Sequence, residues 1–594
     1  MRVFVMWLLA IGLVASPALA GDDIKKDSAD STKTAATKPS GDSATAAAAS
    51  SPATEAELQQ MRDLLKAQAD MLEQQRAALA KEAEKVRMLE ERLGTAPTSA
   101  APAGASATSA APAVASGVTP GGVLAPVSTN TPATAAPLLQ MGGSDKASPI
   151  SFRIGNMDFT PGGFLDFTSV FRTTNVGSGI GTSFGAIPYN NTAAGGLTES
   201  RLSAQNSRIT LKANGMFGST AVTGYVEADF LGFQPANAYQ TSNSNTLRMR
   251  VYWVQVRHDK FEFQAGQLWS FMTPNRVGLS PMTSDVFYTQ DMDTNYQAGL
   301  TWARQAAVRF IVHPTNWWSL GVSLENPEQF VGGAVVFPAS SFATQFDNGS
   351  GNTSSSGAVA NTSVPNLFPD VIIKTAFDGK VGERKMHIEA AGLIREFKDF
   401  NALTSPSSRS SLIGGGGSVN VNLEIFKNFH AIANSYYSYG GGRYIFGLGP
   451  DVIVKPDGTL SGIHSGSGLG GFEWQVTPKA LFYGYYSASY FQRNYGFLPS
   501  SATPAPSCDG VSGFTCVGFG FPGGSLSANR AIQETSFGYV PTLWSSPNYG
   551  SLKIITQYSY LTRSPWAIAS GATGANPKDA HASMVYVDVR YTLP

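Results

Sequence analysis

The chain ends in MVYVDVRYTLP, residues 584–594, and the two faces of this stretch separate cleanly. In an extended strand Val585, Val587, Val589, Tyr591 and Leu593 share one side, and Met584, Tyr586, Asp588, Arg590 and Thr592 share the other. One face is apolar or aromatic throughout. The other carries hydrogen-bonding and charged groups, so the strand suits a boundary between an apolar phase and a wet one. The same period of two runs through the preceding sequence. SVNVNLEIF (418–426) sets Val419, Val421, Leu423 and Ile425 against Asn420, Asn422 and Glu424. WWSLGVSLE (317–325) sets Trp318, Leu320, Val322 and Leu324 against Ser319, Gly321, Ser323 and Glu325. TAVTGYVEADF (220–230) sets Val222, Val226 and Phe230 against Tyr225, Glu227 and Asp229.

Alternation alone also fits a soluble β-sandwich. The connections decide. If 301–312 is a single strand, long and short links alternate along the whole segment. The long ones cover about 174–199, 232–245, 271–300, 326–368, 397–416, 440–467, 493–529 and 564–580. The short ones fall near 214–219, 258–260, 313–316, 379–384, 427–428, 478–479 and 541–550. This predicts about sixteen antiparallel strands of roughly ten residues, the spanning length of a tilted strand. Long loops on one rim and tight turns on the other mark a transmembrane β-barrel. Hydrocarbon offers no water to satisfy backbone N–H and C=O groups, so the sheet must close on itself. A polar inner face then implies a wet lumen, and sixteen strands are wide enough for one.

Composition agrees. Only 14% of the 594 residues are charged, aromatic content is 11%, and glycine is abundant at 62 residues. Typical soluble domains carry about 25% charge. The formal net charge is zero, which argues against a nucleic-acid partner. Eight of the nine Trp lie beyond residue 250, consistent with interfacial girdles.

Four segments precede the barrel at 150–594. Residues 1–20 read as a signal peptide, with Arg2, an apolar run and the cleavage signature Ala18-Leu19-Ala20; an uncleaved anchor is the alternative. Residues 21–54 read as disordered. In 55–93, Leu58, Leu65, Leu72, Leu79, Val86 and Leu93 recur every seven residues, predicting a coiled-coil helix about 58 Å long. The second seam of that heptad is weak, and a single amphipathic helix is the alternative. Residues 94–149 form an Ala/Pro/Ser/Thr-rich linker with no charge between Gly94 and Ser144. Cys508 and Cys516, in CDGVSGFTC, read as one small disulfide in an exported loop.

Three stretches, AGQLWS (265–270), ARQAAVRF (303–310) and SLENPE (323–328), resemble the corresponding segments of DcaP-like outer-membrane porins. So does the order of signal, coiled coil, tether and barrel. The resemblance implies a homotrimeric channel of the bacterial outer membrane, with coiled coil and linker in the periplasm. It also implies small anionic or neutral organic solutes such as dicarboxylates. No enzyme activity and no cofactor are expected. GTSFG (181–185) and GSGLGG (466–471) match hydrolase and dinucleotide motifs only by letter, because neither has the required strand and helix around it. The six His show no metal-ligand spacing.

Selection in a pore resides at its constriction. The third long loop, 271–300, stands where general porins fold a loop inward, and carries Asp285, Asp291 and Asp293. Basic residues on the neighbouring polar faces are Arg208, Lys212, Arg248, Arg250 and Arg309. Arg248 and Arg250 are two apart and should point inward together, in a ladder with Tyr252. An Arg row facing an acidic loop would bias the pore toward anions. The plainer reading is that these charges pair with one another or solvate a wet wall. Residues 150–594 hold 29 Lys and Arg against 27 Asp and Glu, so any preference must be local. A second function is structural, with the coiled coil joining the outer membrane to the cell wall.

Overall fold

A computed structural model describes residues 149–232, 245–286, 288–346, 365–446, 449–566 and 580–594. The segments expected as signal peptide (1–20), disordered stretch (21–54) and coiled-coil helix (55–93), and nearly all of the expected linker (94–149), lie outside the described residues.

Sixteen strands form the wall. They run β1 (Met157–Arg172), β2 (Arg208–Phe217), β3 (Thr220–Asp229), β4 (Arg248–His258), β5 (Phe261–Trp269) and β6 (Arg304–Thr315). Next come β7 (Trp318–Glu325), β8 (Asp370–Val381), β9 (Arg384–Asn401), β10 (Ser408–Phe426) and β11 (Phe429–Tyr439). The series ends with β12 (His464–Thr477), β13 (Ala480–Phe491), β14 (Asn529–Ser546), β15 (Gly550–Pro565) and β16 (Ala580–Thr592). Each strand is antiparallel to its sequence neighbour, and β1 pairs β16 from Phe164↔Thr592 to Arg172↔Met584. The sheet therefore closes and leaves no edge to satisfy.

The two-faced terminal strand is what closure requires. Val585, Val587 and Val589 are exposed on the outside, whereas Met584, Tyr586 and Asp588 are wholly buried within. The same division holds on β7, with Leu320, Val322 and Leu324 out and Ser319, Ser323 and Glu325 in. Soluble monomers rarely expose a contiguous apolar band of this kind. It belongs against acyl chains.

Links on one rim are short. Gly218 and Gly382 sit in them at positive φ, as do Asp259 and Asn428, and left-handed backbone is what a tight reversal needs. The opposite rim carries the long loops, with one departure from expectation. The stretch 397–416 was expected to be a loop. Instead β9 continues to Asn401 and β10 starts at Ser408, pairing through Phe400↔Arg409 and leaving only 402–407 as the turn. Above the membrane both faces of a hairpin meet water or protein, so its apolar alternation weakens while its backbone pairing persists.

The loops of this rim pack inward. Phe184, Ile187, Phe271, Met272, Phe342, Tyr444 and Ile453, from four different loops, form one buried cluster with inward residues of the wall. In the 492–528 loop, Cys508 and Cys516 are bonded, with Cα atoms 5.0 Å apart.

Candidate functional site: the segment across the lumen

The segment 270–303 leaves β5 and returns to β6 after crossing the barrel interior. Its backbone is tied to the wall by buried acceptors. Phe271 N–H donates to Glu325 on β7 at 2.9 Å, and Asn275 N–H to Glu389 on β9 at 3.0 Å. Gly278 N–H donates to Asp378 on β8 at 3.0 Å. The Arg276 guanidinium pairs with Glu473 on β12 at 2.6 Å. Tyr288 Oη accepts from Val421 N–H at 2.8 Å and donates to the Ala433 carbonyl at 2.7 Å, joining β10 and β11. Met292 N–H reaches Gln557 on β15 at 2.6 Å, and Ala298 N–H reaches Glu534 on β14 at 2.8 Å. The anchors thus run from β7 round to β16. Toward β2–β4 the segment reaches Glu227 through Thr283 Oγ1 at 2.9 Å, and Tyr296 Oη accepts from Arg250 at 3.4 Å.

The three acidic residues of this segment occupy different surroundings. Asp293 accepts from Tyr586 Oη on β16 at 2.6 Å and from the backbone of Thr182 at 3.1 Å. Asp291 takes a single long bond from Ser536 at 3.4 Å, and its Oδ1 is buried without a hydrogen-bond partner. Burial, then the neighbouring Asp293, holds the Asp291 carboxyl well above the usual carboxylate range. Asp285 lies on the other side, where burial raises its carboxyl and hydrogen bonding by Ser280 and Ser284, then the charge of Lys212, opposes the shift. Ser284 donates to it at 3.3 Å.

The basic residues divide as well. Arg208, Arg248 and Arg250 converge on two wall carboxylates of β3. Arg250 donates to Glu227 at 2.6 Å and to Asp229 at 2.7 Å. Arg248 grips Asp229 at 3.0 and 2.7 Å, and Arg208 lies 3.5 Å from Glu227. Arg309 is separate: it touches Ser323, Glu325 and the Trp269 carbonyl, at the root of the crossing segment. Lys212 is half-buried on the inner wall of β2.

Glu227 and Asp229 are the partners of this basic row that sequence reasoning left out of the candidate site. The signal was available, since both sit on the polar face of β3, and Asp229 is in register with Arg248. One local feature was not readable. A bulge opposite Glu227 and Ala228 lets Arg248, Arg250 and Val251 all face inward, while Tyr252 is exposed on the outside. The expected ladder of Arg248, Arg250 and Tyr252 is thereby broken. His387 and His430 stand on the inner face, bonded to Asp378 and Asn422 respectively.

The arrangement is a narrow, charged interior. Lumen charges are held in buried pairs, and the β2–β4 wall beside the crossing segment carries Arg208, Lys212, Arg248 and Arg250, with Arg590 on β16.

No family model and no curated protein sequence matches the chain. Among solved structures, the outer membrane channel DcaP of Acinetobacter baumannii is similar over 74% of this chain and 98% of its own, with a TM-score of 0.50 and 15% identity. The anion-selective porin from Comamonas acidovorans aligns over 74% of this chain and 100% of its own, with a TM-score of 0.40 and 11% identity. At such identity the likeness to the first is one of fold: residues 157–592 form a closed sixteen-stranded antiparallel barrel similar to that of an outer-membrane channel.

Proposed function

We propose that the protein is a bacterial outer-membrane porin, a water-filled passage through which small hydrophilic solutes diffuse, with a preference for small organic anions. The observation that carries this reading is the uneven anchoring of 270–303. Its hydrogen bonds to the wall are concentrated on β7–β16; toward β2–β4 it bonds Glu227 and Arg250 and packs Met282 and Val286 against Tyr225, Val251 and Trp253, beside the inner-wall Lys212 and the partly exposed guanidinium of Arg248. A solute squeezed between segment and wall would shed water against these cations. Glu227 and Asp229 neutralise part of the row, so the bias is modest and local, and it depends on Lys212 and Arg248 more than on Arg250. Assembly as a homotrimer, and attachment to the cell wall through the heptad segment, are compatible further roles of the same chain.

Planar-bilayer recording of the purified protein under a KCl gradient tests the proposal. Stepwise conductance with a reversal potential on the anion side is expected. Lys212→Glu combined with Arg248→Glu should move that potential toward cations. An unchanged potential overturns the anion assignment, and absence of steps from the unmodified protein overturns the channel itself.

A further inference from the structure

The outer face of β13–β15 bears an aromatic belt, with Tyr486, Phe537, Tyr558 and Tyr560 exposed to the surroundings of the barrel. At its loop-side end, in line with Tyr558 and Tyr560, stands Trp566. Its position is fixed. The backbone N–H donates to the Ala528 carbonyl at 2.9 Å and the indole Nε1 to the Phe491 carbonyl at 2.7 Å. Tyr490 packs edge-on at 5.9 Å. Gly520, at φ +75°, lies so close that an added Cβ would meet the indole Cδ1 and the Arg493 Cβ at 2.8 Å each.

Two guanidiniums converge on this one ring. Arg493 stands 5.4 Å from its centroid and Arg530 5.9 Å, from separate elements. Both residues are exposed, and among the described residues neither forms an ion pair. Asp509, in the same loop as Arg493, accepts from Tyr495 Oη at 2.8 Å instead. The ring face offsets some of the repulsion between two cations. An anion between them would offset far more, and phosphate oxygens match the guanidinium fork. The level in the fold matters equally: an indole capping an aromatic belt marks where acyl chains give way to headgroups.

We propose that Arg493, Arg530 and Trp566 form a binding site for the phosphate of an anionic lipid at the long-loop rim. This rests on the barrel spanning a membrane. The guanidiniums would hold the phosphate while Trp566 and Tyr490 lie against the apolar part of the same molecule.

The test uses the full mature chain in neutral detergent and native mass spectrometry, with three probes: bis-phosphorylated lipid A, its phosphate-free counterpart, and inorganic phosphate alone. The unmodified protein should retain the phosphorylated lipid and not the phosphate-free one. Arg493→Ala with Arg530→Ala should weaken retention about thirtyfold, from roughly fivefold per basic residue at an anionic surface. Arg493→Lys with Arg530→Lys should recover most of that loss. Equal retention by the alanine variant overturns the site, as does inorganic phosphate binding as well as the lipid. Heat-modifiable mobility on gels is read in parallel. A variant that keeps it has a folded barrel, so its lipid result stands. If the unmodified protein lacks it and inserts into no bilayer, the membrane-spanning reading fails instead.

Discussion

Lys374 Nζ lies 2.9 Å from Glu389 Oε2, both side chains fully buried on adjacent strands of the wall. The ammonium also donates to the Thr273 carbonyl and to Asn275 Oδ1, each at 2.8 Å. Glu389 Oε1 accepts from Asn275 N–H and from Asn420. One ion pair therefore clamps the first turn of the crossing segment to β8 and β9.

Lys374→Met should release that turn and leave the buried Glu389 carboxylate with His387, at 3.3 Å, as its remaining basic partner. Removing one partner of such a pair costs roughly 3–5 kcal/mol. A lower unfolding temperature and a larger, noisier single-channel conductance are expected. Adding Glu389→Met should recover part of the stability while the conductance stays high. If Lys374→Met leaves both readings unchanged, the clamp is not what seats the segment.

A deletion isolates the obstruction from its anchors. Shortening 276–296 to a brief glycine-containing turn removes the lumen-crossing residues and keeps the wall. Conductance should rise several-fold, and anion preference should fall as the passage widens and solutes keep their hydration. Unchanged conductance would mean that the limiting constriction lies elsewhere.

The wall was legible in the sequence because two independent regularities agreed. Alternation gave each strand its faces, and the sidedness of long and short links gave the count, with 301–312 as one strand, observed as Arg304–Thr315. The hairpin over 397–416 was illegible because alternation is a signature of lipid contact, and that hairpin rises beyond it. The inward placement of these charged residues was legible, but their pairing was not. Arg248 and Arg250 do face inward. Their partners are set by strand register and by a bulge, which parity along one strand does not reveal. Asp291 and Asp293 share a loop with Asp285, yet the crossing takes them to the far wall, against Ser536 and Tyr586.

That far-wall seat should respond to pH. Asp291 is raised by burial and by Asp293, with Glu473 adding to it, and Glu534 faces it from β14. A carboxyl raised in the folded state keeps its proton where the released segment would lose it. The seat is therefore firmest below the ordinary carboxylate range, near pH 4, and weakens as pH rises toward the raised value. Flicker or open probability should increase with pH across that interval. Asp291→Asn should flatten the dependence and hold the low-pH behaviour. An equally steep profile in the variant would assign the titration to another group.

The Arg250 clasp offers a test of charge against mere packing. Glu227 accepts from Arg250 at 2.6 Å and from Tyr225 at 3.0 Å, inside a wall where it is almost wholly buried. Glu227→Gln keeps the shape and removes the charge, leaving Arg208 and Arg250 less compensated. Anion preference should rise, and stability should fall by about 1–3 kcal/mol, the cost of a weakened buried polar contact. A shift toward cations would contradict the electrostatic assignment of this sector.

The outer face can be challenged where closure depends on it. Val587 is exposed on β16, between Ser169 of β1 and Thr556 of β15, so a charge there meets whatever surrounds the barrel. In water, Val587→Arg would be nearly silent. Against acyl chains near the midplane an arginine costs about 2–4 kcal/mol, and β16 is the strand whose pairing with β1 shuts the sheet. Folding into short-chain phospholipid vesicles should therefore lose yield and urea resistance, while Asp588→Asn, on the inner face of the same strand, should not produce that loss. Identical urea midpoints for Val587→Arg and the unmodified protein would mean that this face does not touch lipid.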